Sequence, residues 1–145
     1  MSPSISPTSD SLSFFFDPAC PWTWLTSRWF VESTGRRRTD VRWRAYSLSL
    51  INEGNDVPGE YRARRVQSNR ALRVVGGLHA EGQYAEAGEF YTAIGQRTFA
   101  EGREISAEVI TEAGAEIGLD DVLGIADDAE NEVLGRLASK IAMLV

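Results

Sequence analysis

At 145 residues, with 43% hydrophobic and 25% charged residues, the chain has the size and balance of one ordinary globular domain. No apolar run is long enough to span a bilayer, and one Cys beside one His excludes an internal disulfide and a Cys/His zinc cluster. The net charge of -6 is unevenly spread: residues 1–75 hold 11 Arg against 7 acids, and residues 76–145 hold 4 basic residues against 14 acids, so the second half offers no nucleic-acid surface.

Residues 1–11 are rich in Ser, Pro and Thr and lack the basic and apolar regions of a signal peptide. They read as a disordered lead-in, and with a lone thiol they point to a cytoplasmic, reducing location. Leu12-Ser13-Phe14-Phe15-Phe16 is a short apolar run stopped by Asp17-Pro18, the pattern of a strand entering a turn. Pro21 then stands where a helix accepts proline, in its first turn. Along that helix Trp22, Leu25 and Trp29 form an apolar stripe, with Thr23 and Ser27 on another face. Gly35 and Arg36-Arg37-Arg38 suit a helix end. Val41, Trp43 and Ala45 alternate with Arg42, Arg44 and Tyr46, which is strand periodicity. Strand, helix and strand thus follow one another, with a connection long enough for a parallel crossover.

Beyond Ile51-Asn52-Glu53-Gly54-Asn55 the signals are helical. Pro58 opens a long helix with Leu72, Val75 and His79 at helical spacing, which Gly76-Gly77 is expected to weaken or bend. Phe90, Ile94 and Thr98 mark a second helix. Ser106 reads as an N-cap with Ile105 and Ile110 as a hydrophobic staple, and Val109, Ala113 and Ile117 form the inner face of the helix that Gly118 ends. A short helix near Asp121-Val122-Leu123 precedes a last one through Val133, Leu134, Leu137 and Ile141. Two strands make a poor sheet. The sequence therefore reads as a fragment or truncated product, or as a small protein that pairs its open edge with a partner; that edge makes a homodimer plausible.

Cys20 is the residue that these elements point to. It follows a strand and turn and precedes Pro21 at a helix start, where unpaired N–H groups and the helix dipole favour a thiolate. Thr23, one helical turn on, can donate a hydrogen bond to the sulfur, and Trp22 and Trp24 can wall a thiol adduct. Asp17 is either a proton acceptor near the thiol or simply an Asp-Pro turn residue. Asn52 either binds a substrate thiol or caps its loop. His79 reads as a packed helix residue. The arginine excess near Cys20 suits an anionic thiol substrate, or else is a set of solvated side chains. No metal site is expected, and Asp127-Asp128-Ala129-Glu130-Asn131-Glu132 lacks the spacing of a calcium loop.

Phe16-Asp17-Pro18-Ala19-Cys20-Pro21-Trp22-Thr23-Trp24 followed by Thr26-Ser27-Arg28-Trp29 resembles the active-site segment of DsbA-like thioredoxin-fold proteins. Together with Ser47-Leu48-Ser49-Leu50-Ile51-Asn52-Glu53 and Tyr91-Thr92-Ala93-Ile94-Gly95, it is most similar to their actinobacterial, mycothiol-linked branch, a relative of kappa-class glutathione transferases and hydroxychromene-carboxylate isomerases. The resemblance implies an α/β, thioredoxin-like fold. Its N-terminal βαβ part would lie within 12–50 and a large inserted helical subdomain within 51–145, with the C-terminal strand pair, its cis-proline loop and final helix missing. It implies thiol–disulfide oxidoreductase chemistry, and the site read from the residues then has Cys20 and Thr23 in catalysis and Asp17, Pro21, Trp22 and Asn52 around the substrate. The co-substrate would be a low-molecular-weight thiol, mycothiol or glutathione, with no tightly bound cofactor, metal, nucleic acid or membrane. Thr23 stands where relatives with a Cys-Pro-Trp-Cys motif carry a resolving cysteine, so an external thiol must release any mixed disulfide. The alternatives are a thiol-dependent transferase or isomerase of the kappa-class type, and an inactive truncated domain that acts only by binding.

Overall fold

A computed structural model describes residues 12–34, 41–47 and 58–128. The expectations for the lead-in, for Gly35 to Arg38, for Asn52 and for the helix through Val133 lie outside the described residues. Strand β1 (Leu12–Phe16), helix α1 (Pro21–Thr34) and strand β2 (Val41–Ala45) form the expected parallel crossover, with Phe14 opposite Trp43 and Phe16 opposite Ala45. Four helices follow: α2 (Gly59–Ala80), α3 (Tyr84–Gly95), α4 (Ala107–Glu116) and α5 (Val122–Ala126), with a π-helical turn (Gln96–Ala100) extending α3. This is a thioredoxin-like α/β arrangement, dominated by helices. No helix among the described residues is long and apolar enough to cross a membrane.

The pleat of β1 divides its phenylalanines between two faces. Phe14 packs against Phe30 of α1 and Trp43 of β2, with ring centroids 5.0 Å apart in each pair. Phe16 is fully buried and stacks on Tyr91 of α3 at 4.0 Å. Phe15 turns to the opposite face, 44% exposed, under the Arg44 guanidinium. The aromatic cluster of Phe14, Phe16, Phe30, Trp43 and Tyr91 therefore joins the strands to α1 and α3.

Helix α3 meets this cluster through two glycines two turns apart. A Cβ at Gly88 would overlap the Trp43 indole, and one at Gly95 would overlap the Trp24 indole. Glycine disfavours a helix interior by about 0.5–1 kcal/mol relative to alanine, and here the two positions serve as sockets for large rings. Leu72 and Val75 of α2 are buried as their spacing predicts, and His79 is half-buried with its ring against Tyr84. Gly76-Gly77 does not interrupt α2, which runs on to Ala80. Gly77 is instead the place where Ile125 of α5 comes close to the backbone. The Ser106 hydroxyl accepts from the Val109 N–H at 3.2 Å, and Ile110 is buried, so the cap of α4 is as expected.

The stripe on α1 faces the other way from a core face. Trp22, Leu25 and Trp29 are 76%, 60% and 69% exposed, whereas Ser27 is fully buried and Trp24, Phe30 and Val31 pack on the core. Hydrophobicity alone misorients this helix, because a buried serine and a half-buried arginine occupy its inward face.

Candidate active site

The site lies at the carboxyl ends of the two parallel strands, the usual position for ligands of open α/β sheets. Phe16 ends β1, and Asp17-Pro18-Ala19-Cys20 makes the turn into α1, closed by the Cys20 N–H donating to the Asp17 carbonyl at 3.0 Å. Proline at the first corner of such a turn has the fixed φ it needs. The Cys20 carbonyl accepts from the Trp24 N–H at 3.2 Å, which makes Cys20 the residue that caps the helix and Pro21 its first helical residue. A half-buried thiol is thus held over the first turn of a 14-residue helix. There the backbone leaves N–H groups without intrahelical partners, so an anion is favoured.

Asp17 stands at the start of the turn. It is 3% exposed, and its Oδ1 accepts from the Ala19 N–H and from the Ser68 hydroxyl, both at 2.8 Å. The carboxylate thereby organises the cysteine turn and ties it to α2. One residue further along α2, Asn69 Oδ1 accepts from the Ser47 hydroxyl just after β2, at 3.0 Å. Both strand ends are therefore fastened to the same point of α2.

Thr23 is half-buried one turn along α1, and no hydrogen bond joins its hydroxyl to the Cys20 sulfur among the described residues. Pro21 and Trp22 are exposed beside the thiol, and Asn52 lies outside the described residues. The structure thus brings Asp17, Cys20, Pro21, Trp22 and Thr23 to one helix start.

It also brings in residues that sequence reasoning missed. Tyr91 is 1% exposed, and its hydroxyl has no hydrogen-bond partner of ordinary geometry among the described residues. Burial raises the Tyr91 pKa well above its ordinary value; nearby Ser27 and Arg28 oppose the shift without cancelling it, and the neighbouring Cys20 and Asp17 add to it. The phenol therefore stays protonated beneath the cysteine turn. Arg28 lies on the same side of α1. Its Nε donates to Ser27 Oγ at 3.1 Å and its Nη2 to Thr92 Oγ1 at 3.0 Å, while its guanidinium carbon sits 4.1 Å from the centroid of the Trp24 ring. Partial burial lowers the Arg28 pKa, with Tyr91 acting in the opposite sense. Ser27 in turn donates to the Trp24 carbonyl at 2.7 Å. Trp24 stands edge-on to Tyr91 at 5.8 Å and stacked with Phe99 of the π-helical turn at 5.7 Å. The spacing of Trp24 and Arg28, one helical turn apart, was the available signal for this pair.

No group of His, Cys, Asp and Glu side chains that would hold a metal ion is present among the described residues. What remains is a single thiol over a helix start, braced by a buried carboxylate and flanked by an aromatic and guanidinium stack. A family model described as Rv2466c-like, mycothiol-dependent nitroreductase Rv2466c, matches residues 19–140, from the residue before Cys20 through the helices that brace it, and the chain belongs to that family of mycothiol-dependent reductases.

Proposed function

We propose that this chain is a monothiol oxidoreductase in which Cys20 supplies one thiol and mycothiol supplies the rest. The observation that carries the reading is the half-buried Cys20 at the cap of α1, with Thr23 where a resolving cysteine would be needed for internal release. A threonine hydroxyl cannot displace a sulfur from a disulfide, so the adduct must be released from outside.

With a disulfide substrate, the Cys20 thiolate attacks one sulfur, a new sulfur–sulfur bond forms, and the other half leaves as a thiolate. Mycothiol thiolate then attacks the mixed disulfide and frees Cys20. A nitro compound, the acceptor named for the family, fits the same arithmetic. Reduction of a nitro group to nitroso takes two electrons and two protons and releases water. The Cys20 thiol and one mycothiol thiol provide both and become a single mixed disulfide. A second mycothiol then restores Cys20 and leaves as mycothiol disulfide. In this scheme the first turn of α1 stabilises the thiolate, Asp17 positions the turn, Trp22 offers an aromatic wall, and the Thr23 hydroxyl hydrogen-bonds the Cys20 sulfur in its thiolate state.

The test is turnover of a nitroaromatic or disulfide acceptor by the chain with mycothiol, with mass measurement of trapped intermediates. The expected result is a mycothiol mixed disulfide on Cys20 and loss of turnover in Cys20→Ser. Turnover undiminished in Cys20→Ser refutes the reading. A thioether product with no oxidised thiol would instead assign the chain to thiol transfer or isomerisation.

A further inference from the structure

Arg28 differs from the arginines that pair with carboxylates, and, unlike Arg73, which donates to the Ala126 carbonyl, it stands on the helix that Cys20 caps. Arg70, Arg97 and Arg103 each donate to a carboxylate, those of Asp127, Glu116 and Glu112. Arg28 meets only neutral groups among the described residues: Ser27 Oγ, Thr92 Oγ1 and the face of Trp24. A guanidinium has five N–H donors. The two bonds use one on Nε and one on Nη2, which leaves Nη1 unengaged among the described residues. Those bonds also fix the plane of the fork, so it is oriented before any ligand arrives.

Its position is set by helix geometry. Helical side chains lean toward the N-terminus, and the Arg28 guanidinium covers Trp24, the residue whose N–H donates to the Cys20 carbonyl. The guanidinium therefore lies about one helical turn, ~6 Å along the axis, from the level of Cys20. That span is comparable with the distance from a sulfur across one aromatic ring to its far substituent. The buried Tyr91 hydroxyl, without a partner of ordinary geometry among the described residues, neighbours both Cys20 and Arg28.

We propose that Arg28 is a specificity-determining anchor for the Cys20 site, whose free N–H groups take a planar two-oxygen substituent, carboxylate or nitro, on an aromatic electrophile that reacts at Cys20. The proposal rests on the reading of Cys20 as the reactive thiol. A planar fork matches a planar pair of oxygens bidentately, which a lysine ammonium does not. In the reaction used to test it, the Cys20 thiolate bonds to the near sulfur of an aromatic disulfide. The old sulfur–sulfur bond breaks, and the far arylthiolate leaves with the electron pair.

The experiment follows single-turnover release of thiopyridone by the full chain from 2,2′-dithiodipyridine and from its 5-carboxylate and 5-nitro derivatives. The variants are Arg28→Met, Arg28→Lys, and Arg42→Met as a charge control, since Arg42 lies toward the other end of β2. Losing a charge-assisted hydrogen bond predicts about a 10-fold lower second-order rate constant for Arg28→Met with the carboxylate compound, the nitro compound or both. The parent disulfide should change by less than about twofold on the same scale, and Arg28→Lys should recover only part of the loss. A loss confined to the carboxylate derivative assigns a charged ligand, and a loss on the nitro derivative assigns the nitro group as well. An equal loss on all three compounds, no loss on any, or the same loss in Arg42→Met overturns the anchor. Failure of the wild-type chain to react with any of the three overturns the Cys20 reading itself and the anchor with it.

Discussion

The Ser68–Asp17 hydrogen bond, 2.8 Å long and spanning 51 residues, is the clearest place to test how the cysteine turn is held. Both side chains are 3% exposed, so neither is compensated by water when its partner is removed. A hydrogen bond to a charged group contributes about 1.5–3 kcal/mol. Ser68→Ala removes one such bond and leaves the Ala19 N–H on the carboxylate, so it should cost about 1.5–3 kcal/mol. Asp17→Ala removes these two bonds at least and strands the Ala19 N–H and the Ser68 hydroxyl, for about 3–5 kcal/mol. The double variant should be no less stable than Asp17→Ala alone, because Ser68 has already lost its acceptor. Urea unfolding followed by tryptophan fluorescence reads all four proteins, provided that the slope with urea is unchanged. Single-variant costs that simply add, to within about 0.5 kcal/mol, would refute the coupling.

Gly95→Ala should cost about 1–3 kcal/mol by overpacking against Trp24 and should alter tryptophan emission; an unchanged unfolding midpoint would show that the socket yields freely. Tyr91→Phe should change stability by less than about 1 kcal/mol, because its buried hydroxyl has no partner of ordinary geometry among the described residues; a larger loss on urea unfolding would reveal a full bond to that hydroxyl. Arg70 donates to both carboxylate oxygens of Asp127 and, chiefly through that hydrogen bonding, holds its pKa below the ordinary value. The folded state then binds fewer protons at Asp127 than the unfolded chain does. This contribution is complete above the unfolded aspartate value of about 4 and is lost as pH falls through the lower folded value. Asp127→Asn should therefore make the acid limb of stability shallower, and a urea-midpoint titration that superimposes on wild type would contradict it.

Much of the strand–helix–strand unit was legible because its signals are local. A five-residue apolar run, an Asp-Pro turn, Cys-Pro and an alternating strand each announce their own conformation. The cap at Ser106 is equally local. The inward face of α1 was not legible, because apolar patterning favours Trp22, Leu25 and Trp29, while burial is decided by what α3 presents: a glycine socket for Trp24 and Thr92 for Arg28. The closeness of Ile125 to the Gly77 backbone is equally hidden in the sequence, since it exists only once α5 packs on α2. At the proposed site, the place of Cys20 at the cap of α1 could be read from its neighbours in sequence. Ser68, Tyr91 and Arg28 could not be assigned, because their roles exist only once α2 and α3 are packed against the cysteine turn.

That dependence orders the assembly of the molecule in time. The bonds that fasten the turn and the Arg28 fork close loops of 51 and 64 residues. Ordering such loops carries an entropic cost that is recovered only when distant segments meet. The βαβ crossover and the individual helices can form from near neighbours, but the surroundings of Cys20 are completed only after α2 and α3 dock. A nascent or partly folded chain therefore carries Cys20 without the packed surroundings of the finished fold, which are acquired at the end of folding.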